Sequence, residues 1–401
     1  MSVPIINPPT FTRSSVAYLS NGTQVAANVP RFEQGKFGKA VLVEEGTENL
    51  ENPDNLTAWS GSSGTRVVTR IGQYKFNVKF YTQTIGSFLY EYFALTVGNY
   101  YTLSAYVKGI GNTIGKQIRL QSMQENAYGN PVTLTAEYQK ISVTLQATAT
   151  SRAIGFIGVP DNTFVAGDEI EIAFVLFERK PYSTSFTDGT RAAERLTIPT
   201  EGVLNPQEGT IECWIYENTT DVRNVSRIIV NGRDATNSVT TLLILKEANK
   251  NYYTFRVRNE DNTVTVNADS SPLSVGWHHL AAVWLPDTIK LYIDGICVAT
   301  TPKTFVWSSF NPLLSIGSSL SAGEQFNSLI DDLRISNRAR TDAEILAAYQ
   351  SGQPLPYDAN TTWLSRFDCY NTIDRPTGIK ISVGNTTPEY PVINDIWIDT
   401  N

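Results

Sequence analysis

The chain holds two histidines, His278 and His279, and they are adjacent. A histidine pair is the first place to look for acid–base or metal chemistry. In an extended strand, however, neighbouring side chains leave opposite faces, so the two cannot converge on one ion and both read as structural. Glu169 and Glu171 share a strand face in the same reading and are the residue types of a glycosidase pair, but hydrolysis needs two carboxylates facing each other across a cleft. Gly109 to Lys116 (GIGNTIGK) has the glycines and lysine of a phosphate loop. Its glycine spacing is wrong, Gln117 stands where a hydroxyl residue is needed and no helical pattern follows, so it reads as a strand connection. No Gly-x-Ser-x-Gly motif occurs and no Cys–His pairing is suggested, which leaves covalent catalysis without a candidate. Cys213, Cys297 and Cys369 are odd in number, far apart and without Cys-x-x-Cys spacing; they read as packed thiols, not as a disulfide framework or zinc site. The remaining chemistry is contact. Trp59, Tyr90, Tyr92 and Tyr128 in the first half and Trp307 in the second are candidate platforms for a sugar ring. For each of them the competing reading is burial in a core.

These residues must be positioned by β-structure. From Thr65 to Glu178, β-branched and aromatic runs alternate with turn residues: Thr65–Ile71, Tyr74–Thr82, Ser87–Leu95, Tyr100–Lys108, Lys116–Met123, Tyr138–Ala147, Ala153–Val159 and Glu169–Glu178. That pattern predicts a two-sheet sandwich of jelly-roll type. A second β-rich block runs from Arg195 to Ser336. Within it Ile211, Cys213 and Ile215 alternate onto one face that should be core, and Lys290 to Val298 reads as a hairpin closed by Asp294-Gly295. The one convincing helix is Asp342 to Gln350, with Thr341 and Glu344 as a capping box and Gly352 as the stop. The expected fold class is therefore all-β, two tandem jelly-roll β-sandwiches with an extended N-terminal arm and a small loop-rich C-terminal tail. Its segments are the arm 1–52, the sandwiches 53–187 and 188–352, and the tail 353–401, which is too small for its own core and is expected to pack on a neighbour or another subunit.

Composition narrows the function classes. Of 401 residues, 41% are hydrophobic and 18% charged, ample apolar material for packed cores. The net charge of −7 comes without a basic cluster, which argues against nucleic acid as a partner. No apolar run approaches the ~18 residues of a membrane span, and Pro4, Pro8 and Pro9 interrupt a terminus that lacks the apolar segment of a secretion signal. A protein that is not inserted in a membrane is expected.

Three resemblances add to this reading. Gly209 to Tyr216 (GTIECWIY), Gly276 to Ala281 (GWHHLA), Leu291 to Gly295 (LYIDG) and Ile330 to Ile335 (IDDLRI), followed by the Thr341 helix, resemble a laminin-G-like, concanavalin A-like jelly roll. Asn49 to Asn52 (NLEN) through Trp59, with the strand order that follows, is similar to carbohydrate-binding, galactose-binding-like sandwiches. Phe177 to Ala193, with Asn28 to Phe32 and Val41 to Leu50 upstream and Pro391 to Asp399 at the end, resembles the connecting segments of tailed-bacteriophage virion proteins. This resemblance implies a non-enzymatic virion-surface protein of tail-fibre or adhesin type that presents lectin-like sandwiches to host cell-surface glycan. Its partners would be other virion proteins, it would assemble in the host cytoplasm, and it would form a homo-oligomer, commonly a trimer in such fibres. The alternatives are a head decoration or cement protein bound to the capsid and, more distantly, a glycan hydrolase. The Glu-x-Asp-x-x-Glu pattern of concanavalin-like glucanases is absent from the second block. No cofactor is required. Calcium is the ion that related sandwiches hold at a rim, with Asp234, Asp331 and Asp332 as the candidate ligands, against the reading in which Asp331 and Asp332 hydrogen-bond the neighbouring loop.

Overall fold

Strand Gly209–Glu217 shows why this sequence builds sheets. Ile211, Cys213 and Ile215 alternate onto one face and lie in the larger core as expected. The opposite face is also covered: Trp214 packs edge-on against Phe37 (5.4 Å) and stacks on Tyr349 of the helix (5.8 Å). The computed structural model describes residues 9–61, 66–122, 124–218 and 225–367, and the backbone of short strands Ile373–Asp374, Lys380–Gly384 and Ile396–Asp399. Cys369 lies outside the described residues. The chain divides into two units, one of Met1–Val16, Val25–Glu45 and Ala192–Asn401, the other of Ala17–Gln24 and Gly46–Arg191.

The unit that holds residues 192–367 is a sandwich of a seven-stranded and an eight-stranded sheet. The seven strands run in the order Thr10–Thr12, Arg195–Pro199, Leu313–Ile316, Arg227–Arg233, Thr240–Lys246, Tyr253–Arg258 and Thr265–Asp269. The facing sheet runs Ile296–Pro302, Thr288–Ile293, Gly276–Trp284, Gly209–Glu217, Leu329–Ser336, Lys39–Leu42 and Arg31–Gln34, with Thr361–Ser365 also paired to Leu329–Ser336. The hairpin turns at Asp294-Gly295, both at positive φ (51° and 79°), which a two-residue turn of this hand requires. The helix spans Asp342–Gln350 as the capping box predicts, with the Thr341 amide donating to Glu344 (2.8 Å).

The terminal segments are built into this sandwich. Within the expected arm 1–52, Thr10–Thr12, Arg31–Gln34 and Lys39–Leu42 are sheet strands that bury Phe11, Val41 and Val43 in the core. Within the expected tail 353–401, Thr361–Ser365 buries Trp363 and the following loop Phe367. The physical reason is edge completion: these strands satisfy backbone groups and cover apolar surface that residues 188–352 leave open.

Residues 46–191 form the other sandwich. One sheet orders Gln139–Gln146, Tyr100–Ile110, Glu169–Glu178, Lys75–Phe80 and Arg66–Gly72; the other orders Ala127–Tyr128, Gln117–Ser122, Ser151–Val159 and Leu89–Ala94, with Val132–Thr133 also on Gln117–Ser122. An aromatic-rich core, including Phe80, Phe88, Phe156 and Phe164, lies between them. Gly111–Thr113 is a single 3-10 turn linking two strands, as expected of that glycine-rich stretch.

Where the chain leaves and re-enters the larger sandwich, four charged side chains are buried together. Glu194 accepts from Arg13 (2.9 Å) and twice from Arg31 (2.9 and 2.7 Å), and Arg31 also reaches Glu44 (2.9 Å). Their side chains are at most 6% exposed. Removing one member of a buried ion network leaves its partners desolvated and unpaired, at a cost of about 3–5 kcal/mol. Glu194→Gln is therefore expected to lower the unfolding free energy by about that amount. Hydrogen exchange should rise first at Thr10–Thr12 and Arg31–Gln34, and unchanged protection there is the contrary result.

Candidate functional site

The five aromatic candidates fall into two groups. Trp59 and Trp307 are not platforms. Trp59 is 4% exposed and packs on Phe93 and Phe156, and Trp307 is 1% exposed with Nε1 donating to the Arg258 carbonyl (2.7 Å). A ring that binds sugar must show a face to water, and the apolar core took these two instead.

Tyr90, Tyr92 and Tyr128 meet on one outer face of the 46–191 sandwich. The register carries them there: Tyr128 pairs with Gln121, Gln121 with Gly155 and Gly155 with Tyr90, a row across four strands whose side chains share one side of the sheet. Tyr92, two residues along its strand, sits on the same side with its ring 5.9 Å from that of Tyr90. Tyr92 is 57% exposed and Tyr128 54%. Gly155 is buried at the crowded middle of the row, where the strand that carries Tyr90 approaches closely. A Cβ there would come within 2.3 Å of the Leu89 carbonyl and 2.4 Å of Tyr90 Cβ, so no larger residue fits without a shift.

Polar groups stand beside the rings. The Arg119 guanidinium lies 4.5 Å over the Tyr128 ring, and its buried Nε has no hydrogen-bond partner. Gln121 is anchored by donating to Ser87 (3.0 Å). Sequence reasoning missed Arg119, Gln121 and Gly155. Alternation with inward Ile118 and Leu120 places Arg119 and Gln121 on the outer face, but nothing local states that Tyr90 is their neighbour.

The acid–base candidates are occupied elsewhere. Glu169 pairs with Lys79 (2.9 Å), while Glu171 pairs with Lys108 (3.0 Å) and accepts from Tyr138 (2.6 Å). They lie along one strand, not across a cleft. His278 bonds Asp294 (2.8 Å), and this hydrogen bond raises its pKa. His279 is fully buried, and burial lowers its pKa. Burial pushes the Cys213 thiol up, the opposite of what a nucleophile needs.

Asp234, Asp331 and Asp332 do not fit a calcium site. Burial would raise the Asp234 carboxyl, but hydrogen bonds from Thr236 and the Val239 amide outweigh it and hold the group low. Asp331 accepts from the Phe37 amide (2.9 Å), and Asp332 accepts from the Leu355 amide. Among the described residues no three carboxylates, cysteines or histidines are grouped to hold a metal ion.

The larger sandwich also has a sequence relationship. Residues 188–346 match the family described as the Concanavalin A-like lectin/glucanases superfamily. The two-sheet architecture of this unit is that of a jelly roll, in agreement with the match. No curated protein matches the chain. Among solved structures the chain is similar to the binding domain of botulinum neurotoxin DC in complex with SialylT, with 12% identity over 42% of each chain and a TM-score of 0.33. It is also similar to the botulinum neurotoxin serotype C1 binding domain (13% identity, 40% of this chain and 41% of that one, TM-score 0.31). A heptameric SAP-like pentraxin from Limulus polyphemus is similar at 14% identity, over 38% of this chain and 75% of that one, with a TM-score of 0.32. The chain spans less than half the length of the botulinum domains it matches.

Within the lectin-like unit, Asp332 supplies a pH test. Burial pushes its carboxyl up to about 7 from 3.8, even though the Leu355 amide works in the other direction. Below the ordinary pKa both folded and unfolded states hold the proton. As pH rises from about 4 to 7 the unfolded chain releases it and the folded one does not, so stability falls through this window. Asp332 has φ +50°, a conformation asparagine tolerates. Asp332→Asn keeps an acceptor for Leu355 and should remove the loss, raising stability at pH 8 by roughly 2–4 kcal/mol relative to wild type. Denaturant titrations at pH 4 and pH 8 check this, and an equal pH dependence in both proteins contradicts it.

Proposed function

We propose that the chain is a non-enzymatic, glycan-contacting protein of the virion surface, of tail-fibre or adhesin type. The observation that carries the glycan reading is the row Tyr128, Gln121, Gly155 and Tyr90, flanked by Tyr92 and Arg119. Exposed tyrosine rings offer flat apolar faces to the C–H side of a sugar, the guanidinium offers hydrogen bonds to its hydroxyls, and the glycine lets the strands that carry the rings approach closely. The non-enzymatic reading is supported by the ion pairs that occupy Glu169 and Glu171.

The virion setting is supported by the phage-like connecting segments. Asn28–Phe32 and Val41–Leu50 contribute Arg31 and Glu44 to the buried network. Within the 46–191 unit, Asn49 donates to the carbonyls of Val175 and Thr187 (2.9 Å each) and Glu178 accepts from Thr47 (2.7 Å). Such segments, each tied into its own sandwich, suit a protein that engages other virion proteins and a host glycan. A homo-oligomer, a trimer as in similar fibres, belongs to the same proposal.

The test is a glycan array probed with the full chain, followed by titration of the glycans retained. Tyr92→Ala and Tyr128→Ala should each weaken binding about tenfold, about 1.4 kcal/mol, without moving the unfolding midpoint, because both rings are more than half exposed. An array without any retained glycan, or variants that bind as wild type does, overturns the reading.

A further inference from the structure

The lectin-like unit carries a groove whose chemistry differs from that of the tyrosine face. It opens on the outer side of the seven-stranded sheet, has a volume of about 220 Å³, and is lined in part by Arg233, Arg256, Arg258, Leu243, Ser321 and Glu324. Its floor is apolar, with Leu243, Leu245 and Ile228 forming a small buried cluster of their own. Three guanidinium groups on one face would repel one another unless acids answered them. Arg256 is answered, by Glu247 and by Asn267 (2.9 Å).

Arg258 and Arg233 are not. Among the described residues the Arg258 guanidinium makes no hydrogen bond or ion pair, although it is half-buried; burial and the charge of Arg256 lower its pKa, and the charge of Glu247 offsets this only in part. Arg233 spends one nitrogen on the Asn237 carbonyl (2.9 Å), while its buried Nε has no partner. An unpaired guanidinium at a groove is available to an acceptor, and a planar carboxylate is the one that its forked donors fit. At the rim, Glu324 and Ser321 offer partners for hydroxyl groups.

We propose that this groove binds a carboxylated sugar residue, with its carboxylate on Arg258 and Arg233 and its ring over Leu243. The volume falls below the ~300–1,000 Å³ of sites for drug-sized ligands, so one acidic residue of a longer chain enters it. The site is independent of the tyrosine face, and single variants separate the two.

The experiment is calorimetric titration of the full chain with a hexuronic-acid tetrasaccharide, the neutral hexose tetrasaccharide and a sulfated hexose tetrasaccharide. The uronate should bind at least tenfold more tightly than either of the others. Arg258→Gln should lower its affinity at least tenfold, Arg258→Lys should lose part of it because charge remains without the fork, and Tyr92→Ala should leave it unchanged. Equal affinity for uronate and neutral sugar, tighter binding of the sulfated sugar, or an Arg258→Gln variant that binds as wild type does overturns the assignment. A parallel unfolding curve for Arg258→Gln keeps loss of binding distinct from loss of fold.

Discussion

The larger sandwich depends on a buried carboxylate, Glu194, held between two arginines that arrive from elsewhere in the chain. Arg13 and Arg31 belong to strands or loops near the start, yet their charges are met by Glu194, and that of Arg31 also by Glu44. The Glu194 amide donates to the Glu44 carbonyl (3.0 Å) and the Glu44 amide to Glu194 (2.8 Å), so the two chain segments flanking residues 46–191 are clamped side by side. A hydrophobic contact tolerates sliding, whereas this arrangement of forked donors and carboxylate oxygens does not. It determines which early strands may complete which sheet edge.

Much of the architecture was legible from alternation and turn chemistry. Ile211, Cys213 and Ile215 on one face, Asp294-Gly295 at positive φ and the Thr341–Glu344 box are local signals, and local physics decides them. The placement of Thr10–Thr12, Lys39–Leu42 and Thr361–Ser365 was not legible as an arm or a tail, because a short strand carries no mark of the edge it will join. Burial of Trp59 and Trp307 follows the same rule: a tryptophan alone does not say whether its ring will find a core. The tyrosine face lay partly within reach, since its three rings were singled out by type. Their meeting around Gly155 depends on pairing across four strands, and register is a property of the folded sheet.

The two sandwiches use one scaffold principle for different contact chemistry. In the 46–191 unit the outer sheet face presents rings with one guanidinium. In the lectin-like unit the outer face of the seven-stranded sheet presents guanidinium groups above leucines. In both, the inward side chains build the core and alternation leaves the outward positions free to vary, so binding chemistry changes without disturbing what holds the sheets together.

The charge clamp also has a consequence in time. Arg13 and Glu194 are 181 positions apart, and Phe37 and its acceptor Asp331 are 294 apart. During synthesis the earliest strands emerge long before the carboxylates that fix them, and each such pairing must bear the closure entropy of a very long loop. All residues of the 46–191 sandwich emerge before residue 192, so it can mature while the other unit still waits for its later strands. Loop closure thus favours early folding of the middle of the polypeptide and late docking of Thr10–Thr12 and Thr361–Ser365.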